Sequence, residues 1–146
     1  MTRDSAIEHV MQREFATVRS DERLDFVEDV MALGRVRHMP VVDDGKLVGV
    51  VSQRDLLAAS LSRVLSFDAQ ERRTFLRSID VKEVMAPRPI TVSPATSLAD
   101  AAALMLRHKI GCLPVVGPGG EAVGLVTETD LLRAAYPADP AAASRS

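Results

Sequence analysis

Aromatic side chains are scarce in this sequence. They make up 3% of the residues, and there is no tryptophan. Apolar residues nevertheless amount to 47%, so any core has to be built from valine, leucine, isoleucine, methionine and alanine. Side chains of this kind suit closely packed layers of strands and helices.

Cysteine is almost absent as well. The single residue, Cys112, excludes an internal disulfide and fits a reducing compartment. No run approaches the roughly 18 apolar residues that a membrane span needs, and the polar start at Met1 to Asp4 does not resemble a secretory signal. We therefore expect a soluble, cytoplasmic protein that does not bind a membrane.

The chain also has no excess of one charge. Eighteen basic residues stand against 20 acidic residues, which gives a formal charge of −2. No surface is obliged to neutralise phosphates, so nucleic acid is not expected as a partner.

Catalytic signatures are missing. There is no nucleophile elbow, Walker A loop or dinucleotide fingerprint. His9, His38 and His108 lie apart in sequence, and none stands with cysteine or carboxylates at metal-ligand spacing. Cys112 enters an apolar hairpin, where we expect a buried, inert thiol. We expect neither a metal site nor an enzyme, although dispersed catalytic residues would escape this reasoning.

What the chain does contain is one unit written twice. Residues 10–44 align with 84–118, and residues 45–57 align with 120–132. Sixteen of the 48 aligned positions are identical. Two copies of such length predict a paired, pseudo-symmetric fold in which each copy covers apolar surface of the other. We divide the chain into unit 1 (1–57), a helical linker (58–80), unit 2 (81–136) and a flexible tail (137–146).

Each copy has the same predicted elements. A short extended segment (15–18 and 89–92) precedes a helix (21–33 and 97–108). A hairpin follows, formed by 39–42 with 47–51 and by 113–116 with 122–126, and a second helix begins near Asp55 and Asp130. Asp44-Gly45 favours a type I′ turn, Gly34 a left-handed helix end, and Ser97 a helix cap. In the linker, Arg72, Arg73 and Arg77 are interpreted as a solvated helix face.

The segment after each hairpin carries the most information. Residues 49–55 and 124–130 share the form Gly, two apolar residues, Ser/Thr, two variable residues, Asp. Ser52 with Asp55, and Thr127 with Asp130, fit a helix N-cap. The same groups at a helix N-terminus could instead meet a phosphate and the hydroxyls of a ribose. Spacing alone leaves both interpretations open.

The duplicated unit, with a Met39-Pro40-Val41-Val42 hairpin in one copy and Leu113-Pro114-Val115-Val116 in the other, resembles the CBS domain family. The resemblance covers about residues 7–135. It implies an α/β fold of two CBS units in a pseudo-two-fold tandem pair, each a small sheet flanked by helices. Such pairs have one cleft for each copy, which binds AMP, ADP, ATP, S-adenosylmethionine or sometimes NAD.

The resemblance also implies roles for residues. Ser52 and Thr127 would face phosphate, and Asp55 and Asp130 would grip ribose. Each cleft would also draw on the other copy, around its first helix and before its proline. The Asp55 cleft would add Thr96, Ala101, Ile110, Gly111 and Leu113, next to Pro114. The Asp130 cleft would add Glu22, Val27, Val36, Arg37, His38 and Met39, next to Pro40.

We favour the Asp55 cleft. Ala101 and Gly111 leave room for a nucleotide, whereas Glu22 and Val27 add charge and bulk to the other cleft. Arg54 can bond to phosphate. Arg37 and His38 could serve the Asp130 cleft in the same way, so two occupied sites remain open.

These considerations lead to three hypotheses. The first is a non-catalytic regulatory module that senses an adenine nucleotide (AMP, ADP or ATP), forms a homodimer and acts on an unidentified regulated protein. S-adenosylmethionine or NAD are the alternative ligands. The second is an assembly module with empty clefts, and the third is an enzyme.

Overall fold

The computed structural model of the chain describes residues 2–64 and 68–137. These residues form two compact units. The first-copy unit consists of residues 15–89 and 119–122. The second-copy unit consists of residues 2–14, 90–118 and the stretch from 123 onwards.

The first-copy unit is a small sheet with three helices. Its helices are α1 (Leu24–Gly34), α2 (Gln53–Val64) and α3 (Ala69–Arg77), and its strands are β1 (His38–Asp43), β2 (Lys46–Ser52) and β3 (Ala86–Pro87). The strands are antiparallel in the order β1-β2-β3. A 3-10 turn, Val81–Glu83, precedes β3.

The second-copy unit repeats this plan. It contains a 3-10 turn (Ile7–His9), α4 (Leu98–His108), β4 (Cys112–Val116), β5 (Ala122–Thr127) and α5 (Glu128–Ala135). Strands β4 and β5 form a two-stranded sheet. Gln12 adds a single antiparallel bridge to Leu125 of β5. The mixed α/β architecture predicted from the sequence is confirmed.

Each unit has its own aliphatic core, as the composition predicts. The first core consists of Val18, Leu24, Val27, Met31, Met39, Val41, Val51, Leu56, Leu76 and Val81. The second consists of Ile7, Met11, Val92, Leu98, Ala101, Met105, Leu113, Val115 and Val126. The methionines of these lists serve as packing residues.

Each spatial unit includes a segment that precedes the other copy in sequence. Residues 2–14 belong to the second-copy unit, where Ile7 and Met11 are buried in the core. Residues 58–89 belong to the first-copy unit, where Leu76 and Val81 are buried. Burial of these apolar side chains accounts for the exchange, because each copy fills its core with side chains from the segment that precedes the other copy.

Two predictions of local structure, one for a turn and one for a helix cap, are confirmed. Asp44 and Gly45 both have positive φ, at 49° and 78°, as a type I′ turn requires. Ser97 caps α4, since its side chain accepts a hydrogen bond from Asp100 N at 3.0 Å.

The prediction for Gly34 is wrong. Gly34 is the last residue of α1, and Arg35 takes the left-handed conformation after it, with φ of 52°. Lys109 does the same after α4, with φ of 54°. The amides of Val36 and Ile110 then donate to Met31 O and Met105 O at 3.1 Å. These hydrogen bonds close both helices and offset the steric cost of the left-handed residue.

Two predicted boundaries also differ. Helix α1 begins at Leu24 and not at Asp21, because Arg23 is still extended. The segments 15–18 and 89–92 are not strands; each makes only a parallel bridge, Val18 to Val41 and Val92 to Val115.

Helix α3 is not merely a solvated face. Arg72 forms a bidentate ion pair with Glu28, and Arg73 forms one with Asp29, at 2.7 Å for the shorter contact. Arg77 pairs with Asp25 at 3.2 Å. Three arginines of α3 thus meet three carboxylates of α1, and hydrogen bonding to Arg73 lowers the pKa of Asp29. These ion pairs join α3 to α1 at a partly exposed surface, while the buried side chain of Leu76 anchors α3 in the first core.

Of the predicted flexible tail (137–146), residues 138–146 lie outside the described residues. Within residues 2–64 and 68–137, the helices are too short or too polar to cross a lipid bilayer.

We expect Gly49→Ala to destabilise the fold. A Cβ atom at this buried position would lie 2.6 Å from Met85 Sδ and 2.9 Å from Ala86 O. The carbonyl belongs to β3, so the strand itself would have to move, at a cost of about 1–3 kcal/mol. Urea unfolding followed by circular dichroism measures this loss.

Gly34→Ala is the matched control. The nearest atoms to a Cβ there are 3.8 Å away, and alanine is the better helix former by up to about 1 kcal/mol. Equal losses in the free energy of unfolding for the two variants would show that the short distances from Gly49 to Met85 and Ala86 are not the cause.

Candidate functional site

Both Gly-x-x-Ser/Thr-x-x-Asp segments lie at a junction between a strand and a helix. Strand β2 ends at Ser52 and α2 begins at Gln53, while β5 ends at Thr127 and α5 begins at Glu128. The predicted location of the motif is therefore confirmed in each copy. We call these places the first-copy junction and the second-copy junction.

The motif caps the helix in both copies. Ser52 N donates to Asp55 Oδ2 at 2.8 Å, and Asp55 N donates to Ser52 Oγ at 3.1 Å. Thr127 N likewise donates to Asp130 Oδ2 at 2.8 Å, and Asp130 N donates to Thr127 Oγ1 at 3.4 Å. The capping interpretation is confirmed. It uses one oxygen, Oδ2, of each carboxylate.

The two carboxylates differ in their remaining capacity. Asp55 is half-buried, and its Oδ1 accepts no hydrogen bond from any described residue. Asp130 is only 8% exposed. Its Oδ2 also accepts from Thr127 Oγ1 and from Gln12 Nε2, both at 3.0 Å.

Two basic residues lie next to the first-copy junction. Gln53 N donates to Arg37 O at 2.8 Å, and His38 is paired with Ser52 across β1 and β2. The family resemblance implied that Arg37 and His38 belong with Asp130. Within their own unit, the structure places them beside Ser52.

The second-copy junction shows the same arrangement. Glu128 N donates to Gly111 O at 3.1 Å. Gly111 therefore lies beside Thr127 and Asp130 in its own unit, whereas the sequence analysis grouped it with Asp55. The adjoining Ile110 is half-buried and packs against the second core.

Charge distinguishes the junctions. Arg37 and Arg54 are exposed and form no ion pair with any described residue. Their counterparts in the repeat are Gly111 and Thr129, and Gln53 is replaced by Glu128. The first-copy junction thus carries two available guanidinium groups, and the second-copy junction carries an added carboxylate.

Several predicted site residues are core residues. Met39, Ala101 and Leu113 are fully buried in the two cores, as is Val27. The neighbouring prolines, Pro40 and Pro114, are buried too.

The remaining predicted residues are engaged in local structure. Thr96 Oγ1 accepts from Ser93 N at 3.2 Å, and Thr96 O accepts from Ile7 N at 2.8 Å. Glu22 O accepts from Val81 N at 2.8 Å, and the half-buried Val36 packs against the first core. The prediction that ligands draw on residues of both copies stays a prediction.

Cys112 is buried, as predicted, with 6% of its surface exposed. Burial, followed by the negative charge of Asp130, raises the pKa of its thiol to about 12. Within the described ranges, no three histidine, cysteine or acidic side chains come together as a metal site would require.

Gln12 was missed by the sequence analysis. It is one of the residues of the N-terminal segment, and nothing in its spacing relates it to Asp130. The only signal in the sequence was that Gln12 aligns with Ala86 in the repeat, so that a polar residue stands in one copy where the other copy has an apolar one.

The family of the chain follows from comparison with known proteins. The model of the CBS domain matches residues 7–62 and again residues 81–136. This chain belongs to the CBS domain family. Both copies of the repeat are CBS domains, and the chain is a tandem CBS pair.

Similar proteins include a CBS domain-containing protein of Dictyostelium discoideum, 32% identical over 127 residues, which cover 86% of this chain and 88% of that protein. The inosine-5'-monophosphate dehydrogenase of Korarchaeum cryptofilum is 33% identical over 119 residues, but this CBS pair spans only 22% of that enzyme.

A crystal structure of CBSX2 in complex with AMP shares the fold, with a TM-score of 0.76 and 31% sequence identity; CBSX2 is an Arabidopsis thaliana protein. The match covers 90% of this chain and 96% of CBSX2. CBS pairs are regulatory modules, and this one has the fold of a pair that binds AMP.

We expect Cys112 to be unreactive in the folded CBS pair. A thiol that is buried and has a pKa of about 12 offers very little thiolate at pH 8, so modification by a disulfide reagent should be roughly a hundredfold slower than in the unfolded chain or more. Equal rates in buffer and in guanidinium would contradict this.

The same shift predicts a pH dependence of stability. Because the folded pKa lies above the ordinary 9.0, the folded state keeps the proton longer. The free energy of unfolding is unaffected below about pH 9 and falls as the pH rises towards 12. Subtracting the profile of Cys112→Ala isolates this contribution from other groups that titrate there.

Proposed function

We propose that this CBS pair is a non-catalytic regulatory module that binds an adenine nucleotide at its first-copy junction. The observation that carries the proposal is the carboxylate of Asp55, which keeps one oxygen without a donor next to two available arginines. Such a site can accept hydrogen bonds from a ribose and donate them to a phosphate. The relationship to CBSX2, a pair that binds AMP, supports the same ligand class.

The phosphate would meet the beginning of α2. The Ser52 hydroxyl, the Arg54 N–H in the first turn and the positive end of the helix dipole all favour an anion. The guanidinium groups of Arg54 and Arg37 add charge-assisted donors. These groups favour the phosphorylated ligands AMP, ADP and ATP over S-adenosylmethionine.

The ribose would meet Asp55. A carboxylate has about four lone-pair sites, and the helix cap takes one of them from Asp55. Both ribose hydroxyls can therefore donate to it. The nucleotide would then shift the conformational equilibrium of the pair, to the extent that it binds one state more tightly than another. The shift would change the activity of a regulated protein.

We expect AMP to raise the melting temperature of the wild type. At 100 times its dissociation constant, AMP should stabilise the fold by about 2.7 kcal/mol. Asp55→Asn should abolish most of this gain, because asparagine keeps a cap acceptor but loses the charge and an acceptor for a hydroxyl. Calorimetric melts with AMP, ADP, ATP, NAD and S-adenosylmethionine in turn rank the ligands.

Asp100→Asn provides the control, since Asp100 is the exposed first-turn acid of α4 and lies outside both motifs. It should leave the response to AMP intact. A melting temperature that stays unchanged with all five ligands would favour the assembly module. Chemical conversion of a ligand in the same samples would favour an enzyme.

We further propose that the pair forms a homodimer through exposed apolar side chains of its helices. Leu33 on α1 and Leu57 on α2 are 88% and 56% exposed, and Leu106 on α4 and Leu132 on α5 are 80% and 60% exposed. Large apolar side chains exposed on the helices of both copies are typical of an interaction surface.

Sedimentation equilibrium should therefore give twice the mass of one chain. Leu33→Glu with Leu57→Glu should give monomers, since both substitutions would bury charge in the contact. A wild-type monomer at all concentrations tested would exclude the homodimer.

A further inference from the structure

Gln12 is held in a fixed place beside β5. Its backbone N–H donates to Leu125 O at 2.8 Å, and the backbone N–H of Leu125 donates to Gln12 O at 3.0 Å. Met11 lies directly over Gly124, where an added Cβ would be 2.5 Å from Met11 Sδ. This backbone placement directs the Gln12 amide to Asp130, with 3.0 Å between Nε2 and Oδ2.

The Gln12 amide lies against the carboxylate of Asp130. Oδ2 already accepts from Thr127 N and Thr127 Oγ1, and Gln12 Nε2 is its third donor. Oδ1 accepts from no described residue, but only 8% of Asp130 is exposed. A ribose could therefore reach Oδ1 only if the Gln12 side chain moved away from the carboxylate.

The first copy lacks this contact at the equivalent position. Ala86 is paired with Val50 of β2, the residue that corresponds to Leu125, and Met85 lies over Gly49 as Met11 lies over Gly124. The backbone arrangement is therefore the same in both copies. Alanine has no side-chain donor, so Asp55 keeps the acceptor sites that a ribose would use.

We propose that Gln12 determines the stoichiometry of the module by closing the second-copy junction to ribose. Each chain then binds one nucleotide, at Asp55. The inference rests on the proposed function, since it specifies which of two equivalent motifs serves as the site.

The test is a pair of reciprocal substitutions. Gln12→Ala gives the second copy the residue of the first, and Ala86→Gln gives the first copy the residue of the second. Isothermal titration with AMP yields the affinity and the number of sites for the wild type and both variants. Asp55→Asn and Asp130→Asn, alone and combined with each variant, assign every binding event to a junction.

The wild type should bind one AMP for each chain, sensitive to Asp55→Asn and insensitive to Asp130→Asn. Gln12→Ala should add a second binding event that Asp130→Asn removes. Ala86→Gln should weaken the Asp55 event by roughly tenfold or more, the scale of hydrogen bonds to a charged group.

Two equivalent events in the wild type would overturn the proposal, and so would a Gln12→Ala variant that binds like the wild type. Binding by the wild type without a gain in Gln12→Ala leaves the proposed function standing and refutes only the role of Gln12. If neither the wild type nor Gln12→Ala binds AMP, both the proposed function and the role of Gln12 are refuted.

Folding does not obscure the result. Ala86 is exposed, so Ala86→Gln leaves the core intact. If Gln12→Ala fails to fold, Ala86→Gln decides alone, and an unchanged AMP affinity would overturn the proposal.

Discussion

The close approach of a methionine to a glycine organises each copy. Met85 lies against Gly49 and Met11 against Gly124, closer than any side chain at the glycine would permit. The contact seats the incoming segment beside the last strand before the motif. It therefore positions the residue that follows the methionine, Ala86 beside Val50 in one copy and Gln12 beside Leu125 in the other. A packing requirement of the backbone thus places the residue to which we assign control of the second-copy junction.

The duplicated scaffold has kept its geometry and changed its chemistry. In both copies the amide after the strand donates to the carbonyl before the hairpin, Gln53 to Arg37 and Glu128 to Gly111. Because these hydrogen bonds involve only the backbone, they tolerate any side chain at those positions. Arginine at the first-copy junction has become glycine at the second. An anionic ligand therefore meets two electrostatic environments on one backbone plan.

Much of this arrangement follows from the sequence because it depends on local patterns. The type I′ turn at Asp44-Gly45 and the cap at Ser97 are set by residues within four positions of one another. Two features did not follow. The left-handed residue after α1 is Arg35 and not the adjacent Gly34, although glycine adopts this conformation more readily, because the hydrogen bond from Val36 N to Met31 O closes the helix one residue later. The contact of Gln12 with Asp130 joins residues 118 positions apart, so no local pattern contains it.

The two aspartates solve one problem in different ways. A carboxylate that loses water must gain donors, because an unpaired buried charge is costly. Asp130 is nearly buried and has three donors from its own chain, so its junction is stable without any ligand. Asp55 is half-buried and relies on solvent for Oδ1. A ligand hydroxyl can replace that water at little cost, whereas Oδ1 of Asp130, which also lacks a donor from the described residues, belongs to a side chain that is nearly buried beside Gln12. The residue type is the same in both copies, and its exposure separates the structural role of Asp130 from the binding role that we propose for Asp55.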